Sequence, residues 1–295
     1  MSAIPRLNRE AVEMLQLGAA ERIEKILNIK SEWIPYPAAN QILRKLDDLK
    51  NRPKTHRMSN LLIWGDTNMG KSRIVKRYCD LNPIDSNPGG DATHAPVIAV
   101  EVMGPDIGQL YNEILRSIGA VFRVADRAEK KQFQTMKLLQ TVGTQILFVD
   151  EINTAIAGPE LKQRRFLNVL KYFGNQLGLT ICGVGTKEAL SALRADPQLD
   201  NRFERAELKR WAFGDDFRRL VASFERILPL RQTSMLQEPS LAMKLFSMSE
   251  GYIGELAEVL IRAGVAAVMD GSERIDARLL DKIGWVGPTD RQKRF

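Results

Sequence analysis

An α/β fold with a five-stranded parallel sheet, a helical N-terminal lead-in and a C-terminal helical lid is predicted by three observations. Through the middle of the chain, short apolar runs alternate with longer helical patterns. Two of these runs lead directly into polar motifs whose residue types suit phosphate and metal binding. After Asp215 only helical patterns remain. Alternating strands and helices are typical of a parallel sheet covered on both faces, so the last segment is predicted to be a separate helical addition.

The composition is that of an ordinary globular protein with a basic balance. Of 295 residues, 44% are hydrophobic and 27% are charged, which provides enough apolar mass for a sizeable core. No apolar run reaches the roughly 18 residues of a membrane span, and the N-terminus lacks signal-peptide regions, so we expect a cytoplasmic protein without a membrane partner. Cys79 and Cys182 lie in apolar stretches and are predicted to be core residues. The formal charge of +7 favours an acidic partner, of which nucleic acid is the commonest.

Residues 1–52 are predicted to form the helical lead-in. Asn8 can cap a first helical segment, because its side chain can accept a hydrogen bond from the free N–H groups of the first turn. The apolar positions of that segment have the spacing of one helical face: Val12, Leu15, Ala19, Ile23 and Ile26. A second helix, after Ile34–Pro37, carries Ile42, Leu43, Leu46 and Leu49. The basic stretch Arg52–Arg57 then interrupts the pattern.

The α/β core is predicted over residues 53–213. Its apolar runs, each too short for a helix, are Leu61–Trp64, Val97–Val102, Ile146–Val149, Leu179–Val184 and a run around Ala206–Leu208. The helical patterns between them cover 71–80, 106–118, 126–141 and 160–177. The lid is predicted over 214–283, with patterns at 215–228, 239–249, 254–269 and 276–282. Residues 284–295 are predicted to be a loose basic tail.

A phosphate-binding loop is predicted immediately after the first strand. The sequence fits G-x-x-x-x-G-K-[ST] at every fixed position, between a strand and a helix. Its glycines let backbone N–H groups wrap a phosphate, and the following helix N-terminus adds a favourable dipole. We expect Lys71 to reach the β- and γ-phosphates of ATP and the Ser72 hydroxyl to hold Mg²⁺. The predicted nucleotide-binding residues are Gly65, Asp66, Thr67, Asn68, Met69, Gly70, Lys71, Ser72 and the adjoining Arg73.

A pair of carboxylates, Asp150 and Glu151, ends the third apolar run. A buried parallel strand can deliver Asp150 at its C-terminal end, where it would orient the water shell of the metal. Glu151, one residue further, can polarise the water that attacks the γ-phosphate. Asp and Glu are also common near helix N-termini, so a strand running into a capped helix is the alternative. Beside the phosphate loop, the pair predicts a magnesium-dependent ATPase rather than a passive nucleotide binder.

The order of strands and the helical lid suit the layout of AAA+ ATPases. The fourth strand ends in Gly183–Thr186, and in that layout Thr186 is a polar sensor close to the γ-phosphate. Thr186 can equally cap the helix that starts at Lys187, and the two roles are compatible. AAA+ rings place an arginine before the last core strand, where it reaches a neighbouring subunit's γ-phosphate. Arg202 is the first choice for this arginine and Arg205 the second, with a surface ion pair to Glu204 or Glu207 as the alternative.

The lid departs from the common AAA+ pattern. Many AAA+ proteins place an arginine at the start of a lid helix, where it touches the nucleotide. The corresponding segment, Glu250–Leu256, contains no arginine, and the next one in the chain is Arg262.

The chain resembles the TniB family, the ATPase subunits of mercury-resistance-type transposons, which are related to the TnsC regulators. The resemblance covers roughly residues 8–285. The phosphate loop and the carboxylates are specific only to the ATPase superfamily, whereas the Trp33–Pro37 and Gly251–Glu255 segments point to the transposon branch. The segments that carry the resemblance are Trp33–Pro37, Asn60–Gly65, Phe148–Glu151, Gly183–Thr186, Asn201–Phe203 and Gly251–Glu255.

The resemblance implies a protein that binds ATP and assembles as a homo-oligomeric ring or filament on double-stranded DNA. It also implies that a DDE transposase is engaged to select a target site, with a TniQ-like targeting protein as a further partner. In such assemblies DNA passes two loops, which correspond here to Met103–Gln109 and Arg123–Lys131. The first contains no basic residue. The second contains the predicted DNA contacts Arg123, Arg127, Lys130 and Lys131. A solvated helix face that also carries Asp126 and Glu129 is the alternative for the second.

Two other functions share parts of this sequence pattern. A replication-helicase loader or a related DNA-binding switch would have the same core. A P-loop enzyme acting on a small substrate, such as a kinase, would need a substrate pocket, and no second catalytic constellation is evident in the sequence. The sequence therefore predicts an ATP-dependent, DNA-binding regulator of transposition, with the helicase-loader function as the alternative.

Overall fold

The computed structural model describes residues 7–55, 58–86, 90, 93–156, 159–194 and 201–293. Contacts between residues divide the chain into two units. Unit 1 comprises described residues within Met1–Tyr36, Asn68–Gly70 and Lys209–Phe295, and unit 2 those within Pro37–Thr67 and Lys71–Leu208. The sequence predicts a lead-in over 1–52. In the structure, the described part of this lead-in up to Tyr36 belongs to the same unit as the C-terminal helices. Its remaining part, from Pro37 onward, belongs to the same unit as the sheet.

Unit 2 is built on a five-stranded parallel sheet with the order β2-β3-β4-β1-β5. The interior strands are almost continuously apolar and buried, as expected where helices cover both faces. The predicted α/β fold and its five strands are confirmed. Their bounds are β1 Asn60–Gly65, β2 Val97–Glu101, β3 Ile146–Asp150, β4 Thr180–Gly185 and β5 Phe203–Leu208.

Seven described helices surround this sheet in unit 2. They pack Leu147, Val149 and Ile181 of the sheet against Phe166 and Phe173 in one apolar core. The shortest of them was not predicted, because five residues are too few to show a helical period. The helices are α3 Pro37–Lys50, α4 Lys71–Leu81, α5 Ile107–Ser117, α6 Ala128–Thr141, α7 Ile152–Ile156, α8 Glu160–Leu177 and α9 Lys187–Arg194.

The described secondary structure of unit 1 is entirely helical. Asn8 caps α1 as predicted, its side-chain oxygen accepting from the Ala11 N–H at 2.8 Å. The apolar face predicted for this segment is divided between two helices, because Gly18 stands at the N-cap of α2. The elements are α1 Arg9–Met14, α2 Ala19–Leu27, a 3-10 turn Asn28–Ser31, α10 Asp215–Glu225, α11 Pro239–Ser249, α12 Ile253–Met269, α13 Ala277–Lys282 and α14 Pro288–Gln292.

Helix α12 is the centre of unit 1. It is apolar over most of its circumference, and its buried residues include Leu256, Leu260 and Ala267. Ile26 of α2 packs so closely on α12 that a Cβ added at Gly264 would lie 3.2 Å from its side chain. The N-terminal helices and the lid helices therefore share one core. No helix among the residues described above is long and apolar enough to cross a membrane.

An ion pair of the buried Arg22 also fixes α2 in unit 1. Both terminal nitrogens of Arg22 donate to the Glu273 carboxylate at 2.6 Å, and Nη1 also donates to the Pro229 carbonyl at 3.2 Å. The guanidinium lowers the pKa of Glu273. Bidentate pairing of this kind compensates the desolvation of a buried arginine.

The C-terminal tail is ordered as far as the structure describes it, which corrects the prediction of a loose segment. Trp285 packs against the lid core, and its indole N–H donates to the Met248 carbonyl at 2.8 Å. Pro288 then begins α14, consistent with the preference of proline for the first turn. Thr289 is bonded to Glu250 through both its N–H, at 2.9 Å, and its hydroxyl, at 2.5 Å. Aromatic anchoring and the hydrogen bonds to Glu250 therefore order the tail.

Candidate functional site

The phosphate-binding loop joins the end of β1 to the start of α4, as predicted. A Cβ at Gly65 would lie 2.4 Å from the Leu208 carbonyl of β5, so only glycine permits this approach of two strands. Gly70 has a φ of 83°, in the left-handed region that glycine enters without strain. Asn68 is also left-handed, with a φ of 64°. The loop conformation therefore depends on both fixed glycines of the motif.

Lys71 is the first residue of α4 and is buried. Its ammonium donates to the carbonyls of Gly65 at 2.9 Å and Asp66 at 2.8 Å. Burial lowers the pKa of Lys71, and the negative charges of Glu151, Asp150 and Asp66 act in the opposite direction. Since the first turn of a helix also presents free N–H groups, this end of α4 is suited to bind phosphate.

The carboxylate pair lies at the C-terminal end of β3, as predicted. Asp150 is the last residue of the strand, and its Oδ1 accepts from the Glu151 N–H at 2.9 Å. Glu151 has a φ of 53°, which is unusual for a residue other than glycine. Thr154 stabilises this turn, because its N–H and hydroxyl donate to the Glu151 carbonyl at 2.9 and 2.8 Å. Unfavourable backbone conformations maintained in this way are common at active sites.

Asn153 contacts the site, although the sequence analysis did not predict it as a site residue. Its side-chain amide donates to the Glu151 carboxylate at 3.1 Å, and its Oδ1 accepts from the Thr186 N–H at 3.3 Å. A Cβ at Gly185 would lie 2.8 Å from that Oδ1, so glycine makes room for the bridge. The available signal was an amide within one helical turn of the two carboxylates. Asn153 orients Glu151 relative to the end of β4.

Thr186 lies at the end of β4, where the sequence predicted a sensor residue. Its hydroxyl donates to the Glu188 carboxylate, two residues further along the chain. Its carbonyl accepts from the Ala189 N–H at 3.1 Å, within the first turn of α9. These contacts support a local role at the start of the helix, and the sensor role stays a prediction.

Arg202 precedes β5, and Arg205 lies within that strand. The Arg202 guanidinium donates to the neutral amide oxygen of Asn175 on α8 at 3.0 Å. Glu204 instead accepts from Lys45 at 3.0 Å and Arg52 at 3.1 Å. The hydrogen bond to Asn175, and not an ion pair with Glu204, therefore positions the Arg202 side chain.

The basic segment Arg123–Lys131 does not present all four of its predicted DNA contacts to solvent. Arg123, Arg127 and Lys130 are exposed, and Lys130 pairs with Asp126 at 3.0 Å. Lys131 is only 5% exposed, and its ammonium donates to the Val124 carbonyl at 2.6 Å. This burial contradicts the prediction that Lys131 contacts DNA.

The position of Lys131 follows from helical geometry. Successive residues of α6 are about 100° apart around the axis, so Lys130 and Lys131 cannot share a face. Lys131 aligns with the buried Thr135 and Leu139, whereas Lys130 aligns with the exposed Lys137. Lys137 therefore lies on the same exposed face of α6 as Lys130. The spacing of the apolar residues in α6 could have predicted which lysines are exposed.

Two further segments bear on DNA binding: the other predicted DNA loop, Met103–Gln109, and the basic stretch Arg52–Arg57. In Met103–Gln109, Met103 is exposed, and Asp106 caps α5 by accepting from the Gln109 N–H at 3.0 Å. Within Arg52–Arg57, Arg52 is engaged with Ser59 and Glu204, and residues 56–57 lie outside the described parts of the chain.

Comparisons with known proteins identify the fold and the family. A family model described as bacterial TniB protein matches residues 22–213. No curated protein sequence matches this chain. Among solved structures, the Aeropyrum pernix ORC2 protein in its ADPNP–ADP complexes shares 18% identity and a TM-score of 0.60, covering 87% of this chain and 70% of its own.

Two further structures have the same architecture. The Aeropyrum pernix ORC1 protein in complex with DNA shares 16% identity and a TM-score of 0.59, covering 84% of this chain and 65% of its own. The Thermotoga maritima RuvB Holliday junction branch migration motor shares 13% identity and a TM-score of 0.52, covering 86% and 72%. At these identities the similarity shows the fold, which is that of AAA+ P-loop ATPases.

Glu151→Gln tests the role of the second carboxylate. The amide retains the size of the side chain but cannot accept a proton, so we expect steady-state ATP turnover to fall by about 10²-fold or more. Binding of labelled ATP should stay at the wild-type level, because Lys71 and the loop are unchanged. Glu160→Gln, at an exposed carboxylate of α8, is the matched control and should leave turnover unchanged. Normal turnover in Glu151→Gln would remove Glu151 from the mechanism.

Proposed function

Because the chain belongs to the TniB family and is an AAA+ ATPase, we propose that it is an ATP-dependent, DNA-binding regulator of transposition. In this proposal it assembles on double-stranded target DNA and recruits or activates a DDE transposase, with a TniQ-like targeting protein as a further partner. The observation that carries the proposal is the match of residues 22–213 to this family. The site geometry supports its nucleotide-dependent part.

The residues of the site fit Mg²⁺ as well as ATP. The Ser72 hydroxyl and the Asp150 carboxylate are hard oxygen ligands of the kind that Mg²⁺ prefers, and they would hold the ion. When bound, the ion would neutralise charge that develops on the phosphate oxygens. Lys71 binds the β- and γ-phosphates through its ammonium group. Glu151 accepts the proton of the attacking water, and Asn153 keeps its carboxylate in one orientation.

The exposed basic residues of the α5–α6 connection and α6 support the DNA-binding part. Among the described residues, no hydrogen-bonding or ion-pairing partner contacts the guanidinium of Arg123 or Arg127. Free, exposed guanidinium groups are well suited to phosphate oxygens. We call Arg123, Arg127, Lys130 and Lys137 the basic patch. Contacts to phosphate from these side chains would bind duplexes of any sequence.

The alternative functions make different demands. A helicase loader would share both the ATP site and DNA binding, and a gene for a DDE transposase next to this one would favour transposition over it. A small-substrate kinase would transfer phosphate without DNA and without assembly. DNA-stimulated ATP hydrolysis by an oligomer would exclude the kinase.

Arg202 is proposed to act on the nucleotide of a neighbouring subunit. Its side chain is half-buried, and its described hydrogen bond is to a neutral amide, so no carboxylate would have to be displaced. Arginine is suited to this role because its charge is permanent and its planar fork matches phosphate oxygens. Arg205, which is exposed on β5, remains the second candidate.

Mixing two inactive variants tests Arg202. We expect Arg202→Ala to bind ATP normally as an isolated subunit but to lose turnover in the assembly. In an equal mixture with Lys71→Ala subunits, about one interface in four pairs an intact loop with an intact arginine, so a corresponding part of the turnover should return. The matched mixture with Arg205→Ala distinguishes the two arginines. An absence of recovery at any ratio would favour an action within one subunit.

The salt dependence of DNA binding tests the basic patch. Each phosphate contact contributes about −0.9 to the slope of log affinity against log salt, so Arg123, Arg127 and Lys130 together contribute up to about −2.7. We expect their triple alanine variant to bind every duplex more weakly, with a correspondingly shallower slope, and to retain ATP binding.

A control variant removes the same number of positive charges elsewhere. Arg9, Arg219 and Lys244 are each paired with a surface carboxylate, and replacing them by alanine should leave the slope unchanged. The basic patch is not the DNA contact if its variant keeps the wild-type slope, or if the control variant flattens the slope equally.

A further inference from the structure

A buried carboxylate, Glu255, links the phosphate-binding loop to the C-terminal tail within unit 1. Glu255 lies in the first turn of α12 and is 7% exposed. Its Oε1 accepts from the side-chain amide of Asn68 at 2.9 Å, and its Oε2 accepts from the guanidinium of Arg291. Asn68 and Arg291, which are 187 and 36 positions away from Glu255 in the chain, therefore share its carboxylate.

The loop end of this link is held by a second hydrogen bond. The Gly254 N–H donates to the Asn68 carbonyl at 2.9 Å. A Cβ at Gly254 would lie 3.1 Å from Asn68, so glycine permits the close approach. Asn68 has a left-handed backbone conformation, which costs free energy unless neighbouring groups stabilise it. The start of α12 therefore stabilises the conformation of the phosphate-binding loop at Asn68.

The tail end of the link is also fixed. The Arg291 guanidinium lies 5.4 Å from the ring centroid of Trp285, whose indole N–H donates to the Met248 carbonyl. Thr289, two residues earlier in α14, donates hydrogen bonds to the Glu250 carboxylate. These contacts hold Arg291 against Glu255, although the side chain comes from the end of the described chain.

The charge of Glu255 gives this arrangement a consequence for nucleotide binding. A buried carboxylate without a compensating cation is costly, so it would leave its position or change its hydrogen bonds, and Asn68 of the phosphate-binding loop would lose its partner. Arg291 compensates the carboxylate. The segment of the lid in which an arginine was expected, Glu250–Leu256, contains none, and Arg291 supplies a positive charge to it from the tail.

We propose that Arg291 is a positioning residue for nucleotide binding, which acts by neutralising Glu255 and so keeping Asn68 in place. The C-terminal tail thereby sets the affinity for ATP rather than the rate of the chemical step. This inference rests on the ATP site alone and is independent of DNA binding and of transposition.

The first test measures ATP affinity and turnover in Arg291→Ala. Couplings between sites are commonly 5- to 150-fold, and we expect the dissociation constant for ATP to rise about tenfold. At saturating ATP the turnover number should stay within about twofold of wild type, because Glu151 and Asp150 are unchanged. Arg291→Lys retains the charge, and its dissociation constant should stay within about threefold of wild type.

The second test adds Glu255→Gln to Arg291→Ala. Glutamine can still accept from Asn68 through its oxygen, and it carries no charge that needs compensation. The double variant should therefore recover most of the lost affinity, whereas a role of Arg291 in packing alone would leave the affinity of the double variant as low as that of the single variant.

Two control variants separate the link from other properties of the tail. Lys293→Ala removes a positive charge from the same segment, where Lys293 pairs with Asp290. Arg262→Ala removes the other guanidinium near Trp285, at 5.1 Å from its ring centroid. Both should retain wild-type ATP affinity and thermal stability.

The outcomes are distinguishable. A loss of affinity in Arg291→Ala with a normal melting temperature and recovery in the double variant supports the proposal. Unchanged affinity in Arg291→Ala, an equal loss in Lys293→Ala or the absence of recovery overturns it. A wild-type protein that does not bind ATP would instead refute the ATP site itself.

Discussion

The ammonium group of Lys71 imposes the constraint on which the rest of the site depends. A buried cation is costly unless hydrogen bonds and opposite charges compensate it. The carbonyls of Gly65 and Asp66 provide the hydrogen bonds, and Asp150 and Glu151 provide opposite charge. These groups come from the ends of β1 and β3, which lie in one parallel sheet on either side of β4. Because the carboxyl ends of parallel strands share one edge, this strand order brings the loop and the carboxylates together.

Compensation of buried charge also organises unit 1. Arg22 is paired with Glu273, and Glu255 is paired with Arg291. Glu225, at the end of α10, is 8% exposed and accepts hydrogen bonds from the N–H groups of three successive residues, Ser234, Met235 and Leu236. The carboxylates of Glu255 and Glu273 join segments that are distant in the chain, and Glu225 fixes the loop that follows its own helix. These contacts give unit 1 fixed connections beyond its apolar core.

The features predicted from the sequence are those that depend on short-range patterns. The five strands were predictable because each is a short apolar run buried on both faces, and the phosphate loop because its spacing is fixed by backbone geometry. The sequence analysis predicted one continuous helical face where Gly18 separates two helices, and it predicted an exposed Lys131 where the structure has a buried one. The helical period of α6 contained a signal for the burial of Lys131. The contact of Arg291 with Glu255 could not be predicted, since no local pattern indicates which distant side chain compensates a buried carboxylate. The ordered conformation of the C-terminal tail likewise depends on contacts with residues that are distant in the chain.

The most direct test of the account is the affinity of Lys71→Ala for labelled ATP, compared with wild type and with Lys76→Ala. Lys76 is an exposed lysine of the same helix, so its replacement removes an equal charge without touching the loop. Since Lys71 is the main side-chain partner of the β- and γ-phosphates, we expect Lys71→Ala to lose detectable ATP binding while its thermal unfolding stays cooperative. Lys76→Ala should bind ATP like the wild type. Wild-type affinity in a folded Lys71→Ala protein would contradict the assignment of the site.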